Sequence, residues 1–201
     1  LISNFEKYPL FLKLISVSLI YDLDIEKILQ DLRSSILSSI FNLKSTSHLL
    51  NFQSALALHC FTNEYIYSPS LKEDKALDDL ENEIEKQISI GKHPASNLLL
   101  CIASYRPLYQ YDWSPSIINN SRLNEVFKRQ IQEPNLEKGL ELTINNSKMI
   151  TEKVSRVVKQ QYEENPYPRW INSHFRLSPI TINDFTSEIK IKLYNPSILK
   201  I

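Results

Sequence analysis

Chemistry needs nucleophiles, bases, metal ligands or phosphate cradles at fixed spacings, and this chain offers few of them. Its histidines are His48, His59, His93 and His174, and its cysteines are Cys60 and Cys101. His59 and Cys60 are adjacent, so on a helix they point about 100° apart and cannot share a metal ion. No other His, Cys, Asp or Glu cluster has zinc-ligand spacing. His59 lies inside an apolar helical pattern and reads as a satisfied helix histidine rather than a catalytic base. Cys60 and Cys101 stand alone in similar patterns and read as buried free thiols of a reducing compartment rather than a disulfide. The chain has only 2 glycines, Gly91 and Gly139, against 10 prolines, 10 tyrosines and 8 phenylalanines. Phosphate-cradling loops need glycine so that backbone can approach the ligand, which excludes a P-loop and a dinucleotide fingerprint. Because no nucleophile, base and orienting group occur together, a self-contained enzyme is the weakest reading.

The remaining polar groupings have structural explanations beside functional ones. Asn63, Glu64 and Tyr65 close an otherwise apolar helix. They form either a functional cluster or, as read here, a tie in which Glu64 or Asn63 holds a neighbouring loop. Asn119-Asn120-Ser121 and Asn145-Asn146-Ser147 match the glycosylation sequon, yet with no secretion signal they read as loop and cap residues. Asp78, Asp79, Glu81, Glu83 and Glu85 read as a solvated face. The strongest local signal is the run Gln160-Gln161-Tyr162-Glu163-Glu164-Asn165-Pro166-Tyr167-Pro168-Arg169-Trp170. A helix ends at Asn165, and Pro166 and Pro168 then fix an extended path. Tyr162, Tyr167 and Trp170 lie close together there, and each ring buries about 150–250 Å² when packed. They either fold back on the helical core or dock on another surface, with Arg169 placed to stack on a ring or reach a carboxylate. Glu163 and Glu164 stand at the negative end of the helix dipole, which fits an external basic partner.

The elements that position these residues are helices. Pro9 to Ile20 forms the first. From Asp24 to Leu43 an apolar stripe advances in steps of three and four, with Asp22 and Asp24 as caps. Ser47 to Ile66 is apolar nearly all round and belongs inside. Ser70 to Ile90 opens with a capping box, Ser70 and Glu73, and carries a narrow stripe that places it outside. Gly91 stops it, and Pro94 starts a central helix running to Tyr105. Arg106 to Asn120 reads as a loop. Helices resume from Ser121 to Gln132, after Pro134, and from Thr151 to Glu164, while Glu188 to Tyr194 alternates like a short strand. The expected fold is therefore all-α, antiparallel helical hairpins in a bundle or short solenoid, with an irregular C-terminal tail. Residues 1–165 form the helical domain, and 166–201 an extended linker. The tetratricopeptide pattern does not occur, since no Trp or Leu-Gly pair has the required spacing.

Composition sets the outer bounds. Lysine plus arginine and aspartate plus glutamate both number 23, giving zero formal net charge, so no global field favours nucleic acid or an anionic membrane. No apolar run reaches the roughly 18 residues of a membrane span, and Pro9 to Tyr21 lacks the leader and cleavage site of a signal peptide. A cytoplasmic setting is expected. The chain opens at Leu1 and its only methionine is Met149, which suggests a piece of a longer protein.

The run Val154 to Trp170, VSRVVKQQYEENPYPRW, resembles a segment of a family of bacterial S-adenosylmethionine-dependent methyltransferases. Members have a helical, sometimes tetratricopeptide-containing N-terminal region, then this stretch, then a class I Rossmann-like catalytic domain. Three upstream blocks are similar as well: Cys60 to Tyr67 (CFTNEYIY), Ala103 to Tyr109 (ASYRPLY) and Arg129 to Glu137 (RQIQEPNLE). The resemblance covers roughly Leu49 to Ile171. It implies S-adenosylmethionine as the parent protein's cofactor and a methyltransferase domain in cis as partner. It also implies that Tyr162, Glu163, Glu164, Asn165, Pro166, Tyr167, Pro168, Arg169 and Trp170 form an interdomain docking stretch. The family's first strand and glycine-rich cofactor loop are expected beyond Ile201, so no cofactor-binding or catalytic residue carries over to this sequence. The expected role is an accessory region positioning substrate or a protein partner; the alternative is a free-standing helical interaction module.

Overall fold

A computed structural model describes residues 8–117 and 123–141, together with Val157 and Gln161. Helix α1, Pro9–Val17, starts on a proline whose missing N–H costs nothing in a first turn. Helix α2, Leu23–Ser39, is capped by Asp22, whose carboxylate accepts from the N–H groups of Asp24 and Ile25 at 3.1 and 3.0 Å. A 3-10 turn, Ile40–Asn42, completes the stripe that the sequence reads as helix to Leu43. Helix α3, Ser47–Thr62, is capped by Thr46 and buried on every side. Helix α4, Leu71–Ser89, has the predicted capping box and buries only Leu77, Leu80 and Ile84. Its end needs Gly91, which takes a φ of 72° while Lys92 N–H bonds back to the Gln87 carbonyl at 2.8 Å. Helix α5, Ser96–Ala103, carries an unbroken buried run from Asn97 to Ala103.

The fold is all-α, and among the described residues there is no strand. Helix α3 packs against α1 on one side and α5 on another, and α4 covers α2 and α5. Helices α3 and α5 thus form the centre, as their apolar composition requires. Cys60 and Cys101 are both buried in that core as free thiols.

Several boundaries differ from the sequence reading. Helix α1 stops at Val17 because Ser18 is extended, and α5 starts at Ser96 rather than Pro94 because Ala95, the residue before it, is extended. The stretch after Arg106 contains two 3-10 turns, Leu108–Gln110 and Ser114–Ser116, instead of plain loop. The break expected at Pro134 is absent: α6 (Asn124–Phe127), a π-helical turn (Lys128–Gln132) and α7 (Glu133–Glu141) run on continuously. The wider π turn gives the proline ring room and shifts the backbone bonding pattern just where Pro134 brings no N–H. The expected domain boundary after 165, the strand over 188–194 and, apart from helical Val157 and Gln161, the helix over 151–164 lie outside the described residues.

The π turn also aims Gln130 inward. Its side chain is fully buried and satisfies three backbone groups at once. Nε2 donates to the carbonyls of Ala57 and Ala103, both at 3.1 Å, and Oε1 accepts from Leu108 N–H at 3.2 Å. One amide therefore staples α3, the end of α5 and the 3-10 turn Leu108–Gln110 to the π turn. Replacing it by leucine leaves the buried Leu108 N–H unpaired, worth about 1–3 kcal/mol, while the Ala103 carbonyl keeps its bond from Tyr65. Gln130→Leu is expected to lower the unfolding free energy by about 1–3 kcal/mol in urea denaturation with an unchanged slope. A loss below about 0.5 kcal/mol would remove the amide from this role.

Candidate functional site

Helix α3 ends in a way that costs energy. Tyr65 N–H bonds to the Cys60 carbonyl at 2.9 Å and Glu64 N–H to that of Phe61 at 3.3 Å, the paired closure usually built on glycine. Here the left-handed positions are held by Glu64 and Tyr65, with φ of 57° and 54°. Each costs roughly 1–2 kcal/mol relative to an ordinary conformation. The conformation persists because the next residues are held from outside. The Tyr65 hydroxyl donates to the Ala103 carbonyl at 3.1 Å, and the Tyr67 carbonyl accepts from Arg33 at 2.8 Å.

Arg33 projects from α2 into the core and is only 3% exposed. Its second terminal nitrogen reaches the Ser104 carbonyl at 3.3 Å, just past the end of α5. The guanidinium lies 4.1 Å from the centre of the Tyr105 ring and 5.6 Å from that of Tyr67. Among the described residues it has no ion-pair partner, so carbonyl oxygens and ring faces carry its solvation. Burial keeps the nearby thiols protonated, pushing Cys60 up to about 11 and Cys101 up to about 12 against the opposing pull of Arg33. Neither is a nucleophile near neutral pH.

Beside this joint a cavity of about 500 Å³ opens, within the common range of small-molecule sites. Leu19, Ile20 and Tyr21, from the turn between α1 and α2, line it with Ile66; Glu26, His59, Asn63, Glu64 and Tyr67 supply its polar side. His59 Nε2 lies 3.2 Å from the Tyr67 hydroxyl, and His59 is only 1% exposed. Burial lowers the imidazole's affinity for a proton, outweighing the Ile15 and Ser18 backbone and the Glu26 charge, which favour protonation. Burial likewise raises the Tyr67 phenol to about 12, helped by Glu26. His59 Nδ1 and both amide atoms of Asn63 are buried without a hydrogen-bond partner. A polar cavity wall with unused hydrogen-bonding atoms can hold a ligand; a neutral histidine beside an un-ionised tyrosine has no activated nucleophile to offer.

The sequence reading meets the structure unevenly here. His59 is buried and bonded on one side only. In the Asn63, Glu64, Tyr65 cluster, Tyr65 makes the tie to α5, while the Asn63 amide has no partner. The acidic face of α4 is not wholly solvated, since Glu81 accepts from Arg106 at 2.8 Å and Asp78 lies 3.7 Å from the same guanidinium. The docking residues Tyr162, Glu163, Glu164, Asn165, Pro166, Tyr167, Pro168, Arg169 and Trp170 lie outside the described residues. Arg33, Gln53 and Gln130 are buried polar residues that the sequence reading passed over. Their signal was position: each stands four residues after an apolar stripe residue (Leu29, Leu49, Val126) and three before another (Ile36, Leu56) in two of the cases.

Among the described residues no group of three His, Cys, Asp or Glu side chains is arranged to hold a metal ion, and no helix is long and apolar enough to cross a membrane. Neither glycine fits an S-adenosylmethionine cradle, since Gly91 terminates α4 and Gly139 lies within α7. Compared with protein-family models, curated proteins and solved structures, the chain shows no significant match.

The lowered His59 pKa has a consequence for stability. The unfolded chain takes up this proton near pH 6.5 and the folded chain only at lower pH, so stability is complete above about 6.5 and falls as pH drops below it. The expected slope is at most about 1.4 kcal/mol per pH unit below about pH 6.5. His59→Gln is expected to flatten that segment of the stability profile; superimposable slopes for the two proteins would mean that His59 is not held neutral.

Proposed function

We propose that the chain is the accessory helical region of an S-adenosylmethionine-dependent methyltransferase, not catalytic alone, which positions a substrate or partner for a catalytic domain in the same polypeptide. One observation carries this reading. The three upstream blocks that resemble the family, far apart in sequence, are hydrogen-bonded to one another. Tyr65 of the first block and Gln130 of the third both donate to the Ala103 carbonyl of the second at 3.1 Å, and Leu108 of the second donates to Gln130 at 3.2 Å. Blocks that meet in a single joint are expected where a sequence pattern records an architecture. Their polar groups are used in holding helices together, which leaves the chemistry to another domain.

In this reading the stretch from Tyr162 to Trp170 docks on the catalytic domain, with Tyr167 and Trp170 presented by stiff prolines that have little entropy left to lose. The free buried thiols fit a cytoplasmic setting. A free-standing interaction module is the second reading. It is favoured by the apolar residues exposed on α1, in the turn after it and at the first position of α2: Leu10 at 84%, Tyr21 at 88% and Leu23 at 84%.

Calorimetric titration with S-adenosylmethionine separates them. The 201-residue chain is expected to bind more weakly than about 1 mM, and the protein translated through the downstream reading frame at about micromolar Kd. Micromolar binding by the shorter chain, or none by the longer, would overturn the accessory reading.

A further inference from the structure

The cavity at the end of α3 is lopsided in charge and in hydrogen-bonding capacity. Leu19, Ile20 and Ile66 form an apolar wall. Glu26, Asn63 and Tyr67 line the cavity as well, and no lysine or arginine does. Glu26 is half-buried and has no ion-pair partner among the described residues. A carboxylate only accepts hydrogen bonds, and an amide oxygen and a phenol oxygen accept as well. The group complementary to such a wall carries donors only and a positive charge. An ammonium ion meets both conditions, while a carboxylate or phosphate meets neither and is repelled by Glu26.

Two features make this more than an acidic patch. His59, 1% exposed, lines the cavity with Nδ1 unpartnered, and the Asn63 amide is buried with neither its oxygen nor its nitrogen bonded. Buried polar atoms are almost always paired, so the unused acceptor among them, Asn63 Oδ1, points to a ligand that donates hydrogen bonds. The cavity, about 500 Å³, also holds far more than one water molecule. Its apolar residues suit a carbon stem.

We propose that this cavity is a binding site for an organic ammonium ion on an apolar stem, such as an alkylamine or a lysine-like side chain, with Glu26 as counter-charge and Asn63 and Tyr67 as acceptors. The inference stands apart from the methyltransferase reading, because it concerns this chain alone and needs neither the cofactor nor a second domain.

The test is a nuclear magnetic resonance titration of the full 201-residue chain with hexylammonium, hexanol and hexanoate, following the His59 ring and the Asn63 side-chain amide. Hexylammonium is expected to shift both resonances saturably, with a Kd about tenfold or more below that of hexanol, and hexanoate to bind more weakly than either. Glu26→Gln is expected to weaken hexylammonium about tenfold while leaving hexanol binding and the thermal midpoint unchanged. Absence of saturable shifts with hexylammonium would overturn the proposal, as would hexanol or hexanoate binding as tightly as the ammonium. A folded Glu26→Gln protein with unaltered ammonium affinity would do the same. Should that variant fail to fold, the order of the three probes on the unmodified chain still decides.

Discussion

A guanidinium cannot be taken out of water without replacing the hydration it loses, and the burial of Arg33 sets that condition for the whole helical core. The chain meets most of it with two backbone carbonyls and two aromatic faces, leaving Nε buried without a hydrogen-bond partner, and among the described residues with no carboxylate in direct contact. Both carbonyls belong to segments just past helix ends, Tyr67 after α3 and Ser104 after α5. The planar fork of Arg33 therefore fixes the exits of the two central helices relative to α2. The linkage runs further. The Tyr105 ring under Arg33 donates its hydroxyl to Glu73 at 2.7 Å, and Glu73 also receives the Ser70 N–H at 2.9 Å in the α4 capping box. Burial alone would raise the Glu73 pKa. The hydrogen bonds from Ser70 and Tyr105, with the charge of Arg33 behind them, hold it below the usual carboxylate range. One buried charge thus orders the ends of α3 and α5 and the start of α4.

The cavity is shaped by the same constraint. Tyr67 is held at both ends, its carbonyl by Arg33 and its hydroxyl by His59. With Tyr65 anchored on Ala103, the chain between Asn63 and Tyr67 is fixed on either side of its two left-handed residues. Strain of that kind survives only where surrounding contacts over-determine the backbone. It turns the short segment after α3 into a rigid wall, against which a ligand's polar end can be oriented without reordering the protein.

The sequence made the helices legible because their signals are local. Asp22, Thr46 and Ser70 each act as caps beside an apolar stripe, and Gly91 closes α4 at a positive φ. What escaped the reading is the set of polar residues placed within those stripes. Arg33 shares a helix face with Leu29, Ile36 and Leu37, and Gln130 shares one with Val126. An apolar-periodicity reading treats such a residue as noise, although an arginine or glutamine in the middle of a buried face must find partners and so marks a long-range tie. Those partners are backbone carbonyls far away in sequence, which no local pattern reveals. The left-handed Glu64 and Tyr65 were hidden for a related reason: residues outside the segment, Arg33 and Ala103, hold the conformation that glycine would otherwise allow.

The central claim is that the fork geometry of Arg33, and not its positive charge alone, holds the helix exits together. Arg33→Lys keeps the charge but replaces the planar fork by a single ammonium that cannot span both carbonyls. Equilibrium urea unfolding of Arg33→Lys is the direct test, with Arg33→Met alongside to remove the charge as well. A loss of about 2–4 kcal/mol for the lysine protein, at least as large as that for methionine, is the predicted result, because the lysine leaves a buried charge poorly solvated. A lysine protein as stable as the unmodified chain would contradict the account.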